Sequence, residues 1–451
     1  MDGCRAVDPV PPGVSAPPRL PLPTLLAYAA PAIPLALLGI PLTVYLPAFW
    51  AGDMGLSLAV VGLVLTAVRL IDVLTDPLVG RWSDRLVSRF GRRKPFIAAA
   101  LPVAGLGIAG LFFPPAGAGA AWLFAFSALL AIGWTLLSLP YQAWGAELSD
   151  DYAGRARITT WREGGTILGI VLSAALPAVL GLTSAGATLA LLAALTLGLA
   201  LPLVVLMLVA VPEPPHRAAE GGSLTAALRM AAANAPFRRL LIAWLVNGIA
   251  NGLPAALFLL LCAHLLQAPA AAGPLLLAYF LAGIAGLPLW QRAATRWGKH
   301  RAWCIAMLAS CAAFAFVPLL GPGAVVLFAV ICLASGLGLG ADLALPPAIQ
   351  ADVVDLDELT SGEQRAGLFF AAWTMAQKAG QALAVGIAFP LLDLAGFRTE
   401  GDNTATALAA LVALYCLLPI ALKLVAVALM WRFPLDAQQH AAVRARIAAR
   451  T

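Results

Sequence analysis

Apolar runs of about 20 residues, the length that crosses a bilayer as a helix, recur along almost the whole chain. They fall near 25–50, 57–80, 96–114, 121–141, 163–183 and 187–211, then near 238–263, 273–292, 302–320, 324–348, 366–393 and 406–432. The longest polar interruption, Val211–Pro236, carries Pro212-Glu213-Pro214-Pro215-His216-Arg217 and then an amphipathic stretch, Leu224–Ala233. It divides the runs six and six. The pattern predicts an all-α membrane protein of twelve transmembrane helices in two six-helix bundles, 24–211 and 237–432. A cytoplasmic loop at 212–236 joins them, and tails at 1–23 and 433–451 flank them.

One run is not uniformly apolar. Arg69, Asp72 and Asp76 sit inside the second, although a charge at the centre of a spanning helix costs about 2.5–3.5 kcal/mol on insertion scales. At 100° per residue these three side chains lie within about 60° of one another, one polar stripe on an apolar helix. Such a stripe faces a cavity, not lipid. Two carboxylates one turn apart offer oxygen ligands to a small hard cation, or share a proton by raising one pKa.

Composition agrees with the pattern. The chain of 451 residues is 61% hydrophobic, 11% charged, and has a mean hydropathy of +0.90, whereas soluble globular domains carry about 25% charged residues. A water-soluble globule is excluded. Five of the six cysteines (Cys262, Cys304, Cys311, Cys332 and Cys416) lie singly in apolar runs without metal or disulfide spacing, and read as packing residues. The segment Met1–Pro23 lacks an apolar core with a cleavage site and reads as a disordered cytoplasmic tail.

The net charge of +6 would suggest nucleic acid in a soluble protein, but its placement gives another reason. Of 28 Lys and Arg residues, 24 lie on alternate loops and tails, Arg398 alone lies on the opposite side, and Arg69, Lys378 and Lys423 fall within runs. The positive-inside rule then puts both termini and the central loop in the cytoplasm. No Ser/His/Asp set, phosphate loop or metal-ligand cluster occurs, and the four histidines are isolated. Neither an enzyme nor a bound cofactor is expected.

An internal repeat supports the division. Ser88-Arg89-Phe90-Gly91-Arg92-Arg93 recurs about 207 residues later as Thr295-Arg296-Trp297-Gly298-Lys299-His300. Pro140 through Ala146-Glu147, with Arg155 and Arg157 following, is echoed by Pro346-Pro347, Ala351-Asp352 and Arg365. Two similar halves in one topology are what a duplicated six-helix carrier shows, with its substrate bound near mid-membrane between them.

Several of these motifs together carry a family resemblance. Gly80-Arg81-Trp82-Ser83-Asp84-Arg85 followed by Gly91-Arg92-Arg93-Lys94 resembles the loop 2–3 signature of the major facilitator superfamily, with a five-residue insertion before the second glycine. Adding Arg69-x-x-Asp72-x-x-x-Asp76-Pro77, Leu139-Pro140-Tyr141, Ala351-Asp352-Val353-Val354-Asp355 and Thr374-Met375-Ala376-Gln377-Lys378, the chain resembles the glycoside-pentoside-hexuronide:cation symporters of the melibiose permease type. That resemblance implies a Na⁺- or H⁺-coupled carrier of a glycoside or related polar solute in a bacterial-type plasma membrane, working as a monomer. Asp72 and Asp76 match the family's cation-binding aspartates, Lys378 its helix XI lysine and Arg162 its helix V arginine. Lys378 and Arg69 would balance the carboxylates, and Thr374, on the face of Lys378, would add an oxygen.

The chain also departs from the family. The carboxylates that grip the sugar on helices I and IV fall here at Ala36 and Ser138, so melibiose itself is not the expected substrate. Asp342 is an additional acid in the tenth run, read either as a polar substrate contact or as the cap of a break in a glycine-rich helix (Gly336, Gly338, Gly340). Ser138, Gln142, Trp144 and Trp373 are further cavity candidates, each Trp being also a packing candidate, since an aromatic face stacks on a sugar ring. Asp84, Arg85, Arg92 and Arg93, with Glu147, Arg155 and Arg157, read as a cytoplasmic ion-pair gate. Asp352 and Asp355 are its counterpart in the second half, placed to pair with Arg292 or Arg296. A carrier of amphiphiles such as lysolipids is the competing reading, because loss of the sugar carboxylates suits it. No nucleic-acid partner is expected, only the bilayer and a small solute.

Overall fold

A computed structural model describes residues 20–86, 88–149, 152–213, 233–361 and 366–435, with isolated positions 229, 439 and 443. The amphipathic Leu224–Ala233 stretch, the two tails and Arg365 lie mainly or wholly outside these residues. Among the described residues every regular element is helical. Twelve long helices follow one another: α1 (Leu22–Ala51), α2 (Leu58–Arg85), α3 (Lys94–Phe112), α4 (Ala120–Glu147), α5 (Tyr152–Val179) and α6 (Ala185–Ala210). The second set is α7 (Ala235–Leu265), α8 (Ala272–Trp297), α9 (Lys299–Phe314), α10 (Val325–Ser361), α11 (Ala366–Leu394) and α12 (Ala405–Met430).

Ten of the helical segments are apolar and long enough to span a membrane. The other two long helices, α2 and α11, have 28 and 29 residues and carry Asp72, Asp76 and Lys378. Several helices run beyond their apolar runs on the basic-loop side, α4 to Glu147 and α10 to Ser361, because nothing in those polar segments breaks a helix. Asp342 therefore caps no break. Its glycine-rich helix is continuous, and the glycines serve close packing: a Cβ on Gly340 would stand 2.6 Å from the Gly283 carbonyl oxygen on α8.

The duplication is visible in three dimensions. Gly91 and Gly298, 207 positions apart, both take positive φ, +94° and +85°, a conformation that glycine adopts at little cost. Each turns the chain into the next helix, where Arg92 pairs with Glu147 at 2.6 Å in the first half and Lys299 with Asp352 at 2.7 Å in the second.

The halves meet unequally along their length. Away from the basic loops a single apolar core runs through both, holding Trp50, Leu58 and Ile108 of the first half with Leu257, Phe389 and Tyr415 of the second. Thr66 donates to the Ala382 carbonyl (3.1 Å) and Thr399 to the Ala51 carbonyl (3.2 Å) across this seam. Toward the basic end the core splits in two. One cluster holds Tyr28, Ile97, Trp144 and Met207, the other Phe237, Trp303, Phe369 and Met430. The pairs Arg92–Glu147 and Lys299–Asp352 each lie within one half, and the apolar core shared by both halves lies at the end away from the basic loops.

Candidate functional site

The polar stripe of α2 lies at mid-depth, at the seam with α11. Lys378 Nζ stands 2.8 Å from Asp72 Oδ2 and 2.6 Å from Asp76 Oδ2. All three side chains are largely enclosed, Asp72 being 1%, Asp76 12% and Lys378 15% exposed. Arg69 Nη1 lies at the edge of the cluster, 3.9 Å from Asp72 Oδ2. Helical spacing puts both carboxylates on one face, and close approach of α2 to α11 brings the lysine to them. The tightness follows from Gly62, where a Cβ would stand 2.9 Å from the Phe389 Cβ.

A fourth member escaped the reading of the sequence. Thr135 Oγ1 on α4 lies 2.9 Å from Asp72 Oδ1 and 2.8 Å from Asp76 Oδ1. A hydroxyl carries one proton and cannot donate to two ionised carboxylates at once. The oxygens of Asp72, Asp76 and Thr135 form a small oxygen-rich cluster that meets an ammonium from the other half, with the Arg69 guanidinium at its edge. Thr374 lies one turn before Lys378 on α11 and is half-buried. A lone Thr in an apolar helix gives almost no sequence signal.

Nearer the basic end, Arg162 pairs with its neighbour Glu163 at 2.7 Å, Arg162 being partly and Glu163 largely exposed. Arg162 stands beside the hydroxyl groups of Tyr28 and Tyr141. Those tyrosines bond each other reciprocally, Tyr28 OH to the Tyr141 carbonyl (3.1 Å) and Tyr141 OH to the Tyr28 carbonyl (2.8 Å). Glu163, also unforeseen, gives this region a fixed pair of opposite charges. Gln142 is exposed and Ser138 half-buried on α4. Ala36 is taken up by packing: a Cβ on Gly169 of α5 would stand 2.7 Å from the Ala36 Cβ.

Three of the cavity candidates pack instead. Trp144 is fully buried and its indole N–H donates to the Pro212 carbonyl (3.0 Å). Trp373 is stacked on Trp244, ring centroids 4.5 Å apart. Asp342 belongs to a closed buried network, accepting from Asn247 Nδ2 (3.0 Å), Asn251 Nδ2 (2.8 Å) and Trp303 Nε1 (2.6 Å). Three donors and the Lys423 ammonium at 3.8 Å thus surround its carboxylate. The i, i+4 spacing of Asn247 and Asn251 on an apolar helix was the sequence signal for this network.

The gate residues fall into place in part. Glu147 receives both Arg92 Nη2 (2.6 Å) and Arg93 Nη2 (2.7 Å). Arg93 also bonds Ser83. Glu213 was not foreseen: its carboxylate accepts the backbone N–H groups of Arg92 and Arg93 (the latter at 2.6 Å), capping α3 from the start of the central loop. Arg157 Nη1 donates to the Leu20 carbonyl (3.3 Å). Asp352 reaches Lys299, and Asp355 is half-buried nearby on α10. The side chains of Asp84, Arg85 and Arg155 lie outside the described residues.

Comparison with known proteins gives concordant results. The family described as MFS/sugar transport protein matches residues 27–437. The sodium-dependent lysophosphatidylcholine symporter 1 of Gallus gallus is 24% identical, over 94% of this chain and 88% of that protein. The glucuronide carrier protein homolog of Escherichia coli (strain K12) is 24% identical, over 87% and 88%. Among solved structures, the nucleoside transporter NupG superposes with a TM-score of 0.64 at 15% identity, covering 92% of this chain and all of that one. A bacterial homolog of the human lysosomal transporter Spinster, in an inward-facing and unoccupied conformation, gives 0.59 at 16%, over 95% and 97%. At these identities the structural likeness speaks for the fold.

Proposed function

Because this chain belongs to the family of MFS/sugar transport proteins, a family of multi-pass membrane transporters, we propose that it is a Na⁺- or H⁺-coupled symporter of a glycoside, sugar-like or related polar solute. The observation that carries the proposal is the ammonium of Lys378, on one half, held between Asp72 and Asp76 on the other. A cation that enters between those carboxylates displaces Lys378, so occupancy and the fit of the two halves are one equilibrium. That is what coupling by alternating access requires: a ligand shifts a conformational equilibrium only by its difference in affinity for the two states.

In this reading 24–211 and 237–432 are the rocking bundles, the basic end is cytoplasmic, and the structure is the cytoplasm-facing state of a functional monomer. The coupling ion is the only cofactor. Asp72, Asp76 and Thr135 hold it, with Thr374 one turn from the lysine that yields to it. With Arg69 and Lys378 charged and both aspartates ionised the formal sum is zero, so an empty site returns neutral. Arg162, with Glu163 and Gln142, faces the solute. Lys378→Ala should shift uptake toward H⁺ dependence, since a retained proton cancels the charge left over. Uptake by that variant with unchanged ion and pH dependence would assign Lys378 a merely structural counter-charge.

A carrier of lysolipid-like amphiphiles is the second reading. Two observations favour it: the packing of Ala36 against α5, where the family grips sugar, and the relative that is a lysophosphatidylcholine symporter. A thermal-shift screen of sugars, glycosides and lysolipids, each with and without Na⁺ and at two pH values, decides between them. One class that stabilises the protein more with the cation present supports the proposal and names the solute. Stabilisation by any solute that is indifferent to both Na⁺ and pH contradicts coupling.

A further inference from the structure

The second half carries its own buried charge pair away from the seam. Lys423 on α12 donates to Asn247 Oδ1 (2.9 Å) and Asn251 Oδ1 (2.7 Å), while both amide nitrogens donate to Asp342 on α10. The two Asn side chains thus relay an ammonium to a carboxylate along parallel routes, with Lys423 and Asp342 themselves 3.8 Å apart. Trp303 of α9 closes the network on Asp342. Four helices of one half are tied at one depth.

A buried ion pair is weak evidence for stability, since desolvation opposes it, so its use is sought in what it positions. The helix held most firmly is α7, through two residues one turn apart. That helix approaches α11 closely at its small residues: a Cβ on Gly252 would stand 2.6 Å from the Ala384 Cβ, and one on Gly380 3.2 Å from the Leu245 carbonyl oxygen. Trp244 of α7, beside Trp303 at 6.5 Å, stacks on Trp373 of α11 at 4.5 Å. Lys378 is two residues from Gly380 and five from Trp373. A displacement of α7 is therefore passed to α11 and to the ammonium it carries.

We infer that Asp342, Lys423, Asn247 and Asn251 are positioning residues that set the depth at which α11 presents Lys378 to Asp72 and Asp76, and so tune affinity for the coupling cation without touching it. The inference rests on those two aspartates being the cation site. Lys378 occupies the cation's place, so loosening its support weakens the competitor. The double variant Asp342→Asn with Lys423→Met keeps the cluster neutral, and Trp373→Phe loosens the stack without altering any charge.

Purified full-length protein is titrated with NaCl, and separately with pH, following the unfolding midpoint. Relative to wild type, the double variant should reach half-saturation at a Na⁺ concentration, or a proton concentration if only pH acts, lower by about fivefold or more, the low end of ordinary coupling between sites. Trp373→Phe should shift it the same way by less. Half-saturation unchanged or raised in whichever variant retains a cooperative transition overturns the inference. Asp76→Asn is the control that separates the two failures: if it still responds like wild type, or wild type responds to neither cation, the aspartate site itself is wrong and the inference falls with it.

Discussion

At mid-depth of the first half, Asp76 on α2 meets Thr135 on α4; at the equivalent crossing in the second half, Gly283 on α8 meets Gly340 on α10. Gly283 lies 207 positions after Asp76, the spacing from Arg92 to Lys299, and Gly340 lies 205 after Thr135, the spacing from Glu147 to Asp352. One duplication therefore kept its ion pairs at the loop end and diverged in the middle. In the first half the crossing holds polar oxygens, Thr135 Oγ1 standing 2.9 Å from Asp72 Oδ1 and 2.8 Å from Asp76 Oδ1. In the second the helices touch through backbone. A separate charge pair of the second half, Asp342 with Lys423, lies away from this crossing in a network of its own. The asymmetry leaves the first-half carboxylates Asp72 and Asp76 at the seam, where Lys378 of the second half meets them.

Substitutions at the two crossings should therefore fail in different ways. Gly340→Leu forces a side chain into the Gly283 backbone, and overpacking of this kind costs about 1–3 kcal/mol or more; the expected outcome is a lower unfolding midpoint and poor yield of monodisperse protein. Thr135→Ala, at the equivalent place, should leave the fold intact and weaken cation binding by about tenfold, the scale of one hydrogen bond to a charged group, read from the same cation titrations. A Thr135→Ala protein with normal cation affinity but a depressed midpoint would make both crossings structural.

The smallest effect concerns the far end. Asp53, an exposed residue in the loop between α1 and α2, has its carboxyl pushed up from the usual range by partial desolvation, against the Gly186 backbone N–H that lowers it, and further by Glu400 of the other half. A group whose pKa is raised in one conformation binds more protons there, so acidification favours that conformation. Closure of the far end should gain as pH falls through the raised Asp53 value and lose as pH rises above it. Accessibility of a cysteine introduced in the α11–α12 loop, measured across that range, should follow pH in wild type and flatten in Asp53→Asn. The same pH dependence in both would remove Asp53 from the account.

Much of this arrangement was legible in the chain because its physics is local. Charges are rare in spanning helices, so Arg69, Asp72, Asp76 and Lys378 stood out, and the Gly91/Gly298 motifs exposed the duplication. Thr135, Glu163 and Glu213 were missed because their meaning is not local. Thr135 matters only through two carboxylates about 60 positions earlier, and Glu213 only through backbone groups 120 and 121 positions earlier. Trp144 and Trp373 were ambiguous because an indole on an apolar helix serves packing and stacking equally well. Asp342 stayed between two readings for the same reason that Thr135 was missed, its partners being spread over α7 and α9.

The central claim is that Asp72 and Asp76 couple a cation to the movement of solute, and separating exchange from accumulation tests it most directly. Proteoliposomes containing wild type or Asp76→Asn are given a solute identified in the screen, first for counterflow at equal ion concentrations and then for uptake under an inward Na⁺ or H⁺ gradient. Counterflow should persist in the variant while accumulation above the external concentration disappears, since coupling is a difference in affinity between states and exchange does not need it. Gradient-driven accumulation by Asp76→Asn at the wild-type level would contradict the account.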